Sequence, residues 1–398
     1  MTHLRLSTLF LVQGLATGIV YPFLVLMLAE RGWAPEGIGL VLGLSAVASL
    51  VAFPSWGYLA DARMGRGTVL RVAALVAAAS GLLLAAGVGS VPATAVAVIG
   101  MAVGTSAWGP VADAVALSVP GAESVDYGRI RRWTSFGWVV AALGAGAVYA
   151  LVGPALLPIA FAVASLGVAL AAVSGPSGGT RPAGAPRSGP QRGGARAFLG
   201  LARQSPALGP FLLGLFVMAI GSSAAFSFLP LQLVSTGGGP LLVGLASALP
   251  ALVEIPFFSW TGTLSARMGL RGLFAVGVAL SVMQLLVVAA APDPWVITAV
   301  RTVDGAAYAL RYASIVLIVG ACLPERVRAM GLSSVWFVSG AIAPIIGDPV
   351  GGLIYGRLGG PALFATGAVV VSLGAAIAWA SLRGPSFAAT RHQESEAA

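Results

Sequence analysis

Between Leu6 and Leu28 the chain reads LSTLFLVQGLATGIVYPFLVLML, without one charged side chain. A run of that length crosses the roughly 30 Å hydrocarbon core of a bilayer as an α-helix, which takes about 20 apolar residues. Eleven more runs follow, at 38–60, 69–89, 92–118, 133–152, 154–174, 208–233, 241–262, 271–291, 294–320, 331–356 and 362–382. Inside hydrocarbon every backbone N–H and C=O must find its partner within the protein, so such runs fold as helices. The alternative, a closed barrel, needs ten-residue segments of alternating polarity; these unbroken runs lack that alternation. Composition agrees. Only 9% of residues are charged, against about 25% in soluble domains. The sequence predicts an all-α integral membrane protein with twelve transmembrane helices. Arg5 ahead of the first run resembles the start of a signal peptide. The run is long, has no A-x-A ending and leads straight into a second one, so it is read as a retained helix.

The net charge of +9 raises the question of nucleic acid. Every basic residue is Arg, and most sit in short connections between apolar runs. There they set membrane orientation, and no nucleic-acid partner is expected. With both termini on the cytoplasmic side, eighteen Arg fall on that side and two, Arg31 and Arg357, on the other. The expected location is the cell (cytoplasmic) membrane. Cys322 is the single cysteine, and His3 and His392 lie at opposite ends of the chain. A Cys- or His-based metal site is therefore not expected, nor is a cofactor.

The longest break, 175–206, is rich in Gly, Pro and Arg and reads as a cytoplasmic linker. It divides a six-helix bundle at 1–174 from a second at 207–384, with a cytoplasmic tail at 385–398. The halves echo each other. IGLVLGLSA at 38–46 returns loosely as VGLASALPA at 243–251, and ARMG occurs at 62–65 and again at 266–269. Parallel repeats of this kind are a transporter design, with the substrate site at the repeat interface near the midplane.

GYLADARMGRG (57–67) resembles the signature between the second and third helices of the major facilitator superfamily, with Gly57, Asp61, Arg63, Gly65 and Arg66 matching. Gly67 replaces the usual final base, and the second copy, GTLSARMGLRG (262–272), has lost the acid. DYGRIRRWTSFGW (126–138) is similar to the run before the fifth helix in the branch of phenylpropionate permeases, lactose permease relatives and nucleoside symporters. Tyr127, Gly128, Arg129, Arg131, Trp133, Ser135 and Gly137 match, and Asp113 and Glu254 occupy acidic positions of that branch. The G-P-x-x-G-G motif of multidrug antiporters is absent from the fifth run. The resemblance implies two pseudo-symmetric six-helix bundles and transport by alternating access. It also implies a gating role for Asp61, Arg63, Arg66, Arg129 and Arg131. Read without the family, these residues are equally an exposed ion pair or an interfacial anchor.

Asp113, Glu254, Arg301, Asp304, Arg311 and Asp348 fall well inside predicted spans. Each costs roughly 2.5–3.5 kcal/mol at a helix centre, so each is a functional candidate. Four acids against two bases leave acids free to carry protons, and Glu254 and Asp113 are the candidates for proton coupling. In RTVDGAAYALRY (301–312), Arg301, Asp304, Tyr308 and Arg311 share one helical face. Arg301 and Asp304 can pair within the helix. Arg311 is the candidate for a substrate carboxylate or for Glu254, and the two Arg tilt the expected solute toward an anion. Gln13, Thr17 and Tyr21 form a stripe on the first run, and Ser222, Phe226 and Gln232 lie on the seventh. The candidate substrate-binding residues are Arg311, Arg301, Asp304, Tyr308, Gln13, Tyr21 and Gln232, and Asp348 is equally read as packing in a Gly/Pro kink.

The expected function is secondary active transport of a small organic solute by proton-coupled symport, by a monomer in the lipid bilayer with solute and protons as partners. The alternative is a proton-antiport exporter of drugs or natural products. A membrane-embedded enzyme is more distant, because no D-x-x-D-type acid cluster for Mg²⁺ occurs. A non-transporting receptor is the remaining alternative.

Overall fold

The structure, a computed structural model, describes residues 2–117, 127–174, 208–291, 293–323 and 325–382. The expected linker at 175–206 and tail at 385–398 lie outside the described residues.

Helices account for the apolar runs. They are α1 (Leu4–Glu30), α2 (Pro35–Met64), α3 (Arg66–Ala86), α4 (Val91–Ala116), α5 (Arg129–Val152), α6 (Leu156–Ala172), α7 (Leu208–Ser235) and α10 (Pro294–Cys322). Two continuous segments, Pro240–Ala290 and Gly331–Ser381, each have 51 residues. At 1.5 Å per residue either would extend about 75 Å, more than twice the hydrocarbon thickness. Each contains one residue outside helical geometry, Gly269 (φ 70°, ψ 165°) and Gly359 (φ 84°, ψ 173°). That backbone region is open essentially to glycine alone. The segments therefore divide into α8 (240–268) and α9 (270–290), and into α11 (331–358) and α12 (360–381). The basic ARMGLR connection, expected as a loop, is a helix broken at this one glycine.

The glycines also make the internal repeat visible in the backbone. Gly32, Gly65 and Gly153 have φ of 81°, 77° and 82°; Gly237, Gly269 and Gly359 have 92°, 70° and 84°. The pairs are offset by 205, 204 and 206 residues. The two ARMG copies end in Gly65 and Gly269, with ψ of 152° and 165°.

Several helices are less regular than their runs suggest. Pro22 sits in a 3₁₀ turn, Tyr21–Phe23, within α1. The fourth run, expected as one helix, is interrupted between Thr105 and Trp108. π-helical turns occur at Ala60–Met64 and Phe337–Ile342; such turns are frequent at functional sites.

The described residues group into two compact units, one within Met1–Pro190 and Leu233–Ala248, the other within Gln191–Gln232 and Leu249–Ala398. In the first, α1 packs along α5 and α6, and α3 packs along α4 and α6. Gly14 and Gly137 meet across the α1–α5 contact, where a Cβ on either would strike the opposing backbone. Without a hydrophobic drive between helices in lipid, such close backbone contact is what holds them together. The first turns of α8 belong to this unit: Trp138 Nε1 donates to the Ser247 carbonyl at 3.3 Å. In the second unit α7 lies along α11 and α12, with Gly347 against Ser223 and Gly374 against Met218.

Candidate functional site on α8, α9 and α10

The second unit assembles its charged group through one close helix approach. A Cβ on Gly305 of α10 would run into the Pro250 carbonyl oxygen of α8. The missing side chain lets the two helices, which run parallel, touch at this level. Pro250, Glu254 and Phe258 follow at four-residue spacing and so share a face of α8. Glu254 comes within electrostatic reach of Asp304 and Arg301. Phe258 meets Tyr308 and Tyr312 edge-on, with ring centroids 6.4 and 6.1 Å apart. Tyr308 stacks on Tyr312 at 5.7 Å, and Tyr312 meets Trp336 of α11 at 6.3 Å. An acidic step and an aromatic shelf thus lie one helical turn apart.

Arg301 is buried, 5% exposed. Its Nη1 lies 2.9 Å from Asp304 Oδ2 and donates to Gln284 Oε1 of α9 at 3.2 Å. The intrahelical pairing expected from the i, i+3 spacing is present. Arg311, expected to reach Glu254 or a substrate carboxylate, instead directs Nη1 to Ser281 Oγ at 2.7 Å, with Asp304 and Tyr308 in electrostatic range. Both arginines are therefore anchored by α9. Ser281 and Gln284 were not among the sequence candidates. They are the only polar side chains in 273–291, and that isolation is the signal that marks them. Glu254 is half-buried, and among the described residues it makes no hydrogen bond and no ion pair.

In the first unit the α1 stripe lines the interruption of α4. Gln13 Nε2 donates to the Trp108 carbonyl at 3.4 Å, and the Tyr21 and Thr105 hydroxyls are 2.7 Å apart. Gln13 is 4% exposed. Asp61 and Arg66 form an ion pair at 3.6 Å, and Arg66 Nη1 also donates to the Ala114 carbonyl at 2.9 Å. Asp113, half-buried, precedes that carbonyl. Arg63 and Arg129 are exposed. Arg131 donates to Thr134 Oγ1 and lies over the Phe10 ring at 5.8 Å.

Two residues of the second unit lie away from the α8–α10 group. Gln232 is buried on α7 against Gly360 and the Tyr355 ring at the start of α12. Asp348 is buried on α11 and accepts from Ser227 Oγ at 3.0 Å. Phe226, by contrast, is exposed.

The MFS_1 like family model matches residues 3–366. Maltose permease of Geobacillus stearothermophilus is 27% identical over 350 residues, covering 86% of this chain and 85% of that protein. The transporter YwbF of Bacillus subtilis (strain 168) is 24% identical, with 83% and 81% covered. Among solved structures, the nucleoside transporter NupG superposes with a TM-score of 0.82 at 15% identity, over 96% of this chain and 98% of that one. A bacterial homologue of the lysosomal transporter Spinster gives 0.73 at 14% identity, over 98% and 97%. These relatives are transporters, not enzymes. With the family match running over nearly the whole sequence and the fold shared with solved transporters, the chain belongs to the MFS_1 like family of the major facilitator superfamily.

Proposed function

We propose that this protein is a proton-coupled symporter of a neutral, hydroxylated solute of the sugar or nucleoside type, working by alternating access in the cytoplasmic membrane. The observation that carries the proposal is Glu254: a half-buried carboxyl with no hydrogen-bond or ion-pair partner among the described residues, beside an Arg301–Asp304 pair that is already satisfied. An uncompensated acid in a low-dielectric site favours its neutral form, so it takes up a proton in one state and releases it in another. The engagement of Arg301 by Asp304 and Gln284, and of Arg311 by Ser281, argues against the anionic solute that two intramembrane arginines suggest. The shelf of Phe258, Tyr308, Tyr312 and Trp336 suits a molecule with an apolar face and polar edges. Maltose permease and the nucleoside transporter NupG, by their names, handle solutes of that description.

Moving one proton down a 100 mV potential supplies about 2.3 kcal/mol, enough for roughly 50-fold accumulation. The test is uptake of maltose and of nucleosides into proteoliposomes under an imposed pH gradient. Glu254→Gln is expected to abolish gradient-driven accumulation while leaving solute exchange at equal pH intact. Unchanged accumulation overturns the role of Glu254. Gradient-driven efflux instead of uptake replaces symport by antiport.

A further inference from the structure

Asp348 takes no part in the α8–α10 group. It lies on α11, 6% exposed, and belongs to neither of the ion pairs among the described residues. Its carboxyl has two hydroxyl partners on α7, Ser227 and Ser223, which stand four residues apart on one face. Gly347 makes this contact close: a Cβ there would strike Ser223 Oγ and approach the Ile220 carbonyl.

The hydrogens of this cluster can be counted. A serine hydroxyl has one proton to donate and two lone pairs. Ser227 gives its proton to Asp348 Oδ1 at 3.0 Å. Ser223 gives its proton to the Ile220 carbonyl at 3.2 Å, so the side of Ser223 Oγ that meets the carboxyl is a lone pair. An ionised Asp348 would set oxygen against oxygen there. A proton on the carboxyl completes one chain: Ser227 to Asp348, Asp348 to Ser223, Ser223 to the Ile220 carbonyl, with every buried group satisfied. The same proton removes the cost of an unpaired charge in hydrocarbon.

The geometry points to Asp348 as a second proton-binding carboxyl, separate from Glu254, which closes the α7–α11 contact in its neutral form. From α7 the facing groups are Ser223 and Ser227, and from α12 Leu363 packs beside Gly351, one turn along. None is charged. The nearest titratable side chain on its own helix, Tyr355, lies two turns away with its ring on Phe228.

The test is infrared difference spectroscopy of the full-length protein in lipid, titrated across neutral pH. It is run in the Glu254→Gln background, which removes the other carboxyl, so that failure of one site does not mask the other. A protonated-carboxyl C=O band that persists at neutral pH is expected, lost in Asp348→Asn and shifted in frequency in Ser223→Ala, which keeps the acid and removes its acceptor. Ser223→Ala also covers the case in which Asp348→Asn does not fold. A band indifferent to both substitutions overturns the proposal. So does a sodium-dependent thermal stabilisation abolished by Asp348→Asn, which would make the cluster a sodium site.

Discussion

Arg301 and Asp304 hold each other at 2.9 Å across one turn of α10, with side-chain exposures of 6% and 26%. This pair is what allows an arginine to sit inside a membrane helix. Removing one member of a buried pair leaves the other uncompensated and costs about 3–5 kcal/mol, whereas exchanging both for apolar residues is often neutral.

Asp304→Asn is therefore expected to destabilise the protein by about 3–5 kcal/mol, and Arg301→Met with Asp304→Leu to restore most of that loss. Unfolding followed in detergent micelles measures both. If the single variant matches the parent, Gln284 alone is holding Arg301.

The Gly305–Pro250 contact yields a contrast with Gly262, which has nothing within 4 Å of its would-be Cβ. Gly305→Ala pushes α10 away from α8 and is expected to cost about 1–3 kcal/mol, in the range of overpacked cores. Gly262→Ala, on an open helix face, is expected to be neutral or to stabilise by up to about 1 kcal/mol from helix propensity. Equal effects in the same unfolding measurement would mean that the close approach is not required.

The spans, the intrahelical Arg301–Asp304 pair and the repeat were legible in the sequence because each depends on local spacing: run length, an i, i+3 interval, a recurring ARMG. The destination of Arg311 was not. Whether an arginine on α10 turns toward Glu254 of α8 or Ser281 of α9 depends on how the helices are rotated against one another, and small-residue contacts such as Gly305 on Pro250 fix that rotation. The aromatic shelf was hidden for the same reason. Phe258, Tyr312 and Trp336 come from three helices and share no sequence interval. The breaks in α4 and at Gly269 were hidden because hydropathy is indifferent to backbone geometry.

Gly65 and Gly269 occupy the same glycine-only conformation in the two halves. Alanine at either position is expected to cost about 1–3 kcal/mol, and the two losses to add, since equivalent turns in separate units share no partner. A double variant no worse than either single one would contradict independence. Thermal unfolding of the three variants decides it.

Asp61 and Arg66 separate a weak interaction from a stronger one in a single side chain. Their ion pair is 3.6 Å long with exposures of 47% for Asp61 and 27% for Arg66, so it contributes about 0–1 kcal/mol. The second bond of Arg66, to the Ala114 carbonyl at 2.9 Å, meets one of the last four carbonyls of the helix Trp108–Leu117. Those carbonyls have no partner within the helix, and a cation at a helix C-terminus is favoured by the dipole. A hydrogen bond from a charged donor contributes about 1.5–3 kcal/mol. Asp61→Asn is therefore expected to leave stability nearly unchanged, and Arg66→Ala to lower it by about 1.5–3 kcal/mol. If the pair also gates the transport cycle, Asp61→Asn slows turnover in proteoliposomes with little change in solute affinity. A large affinity loss in Asp61→Asn would instead place the pair in the binding step.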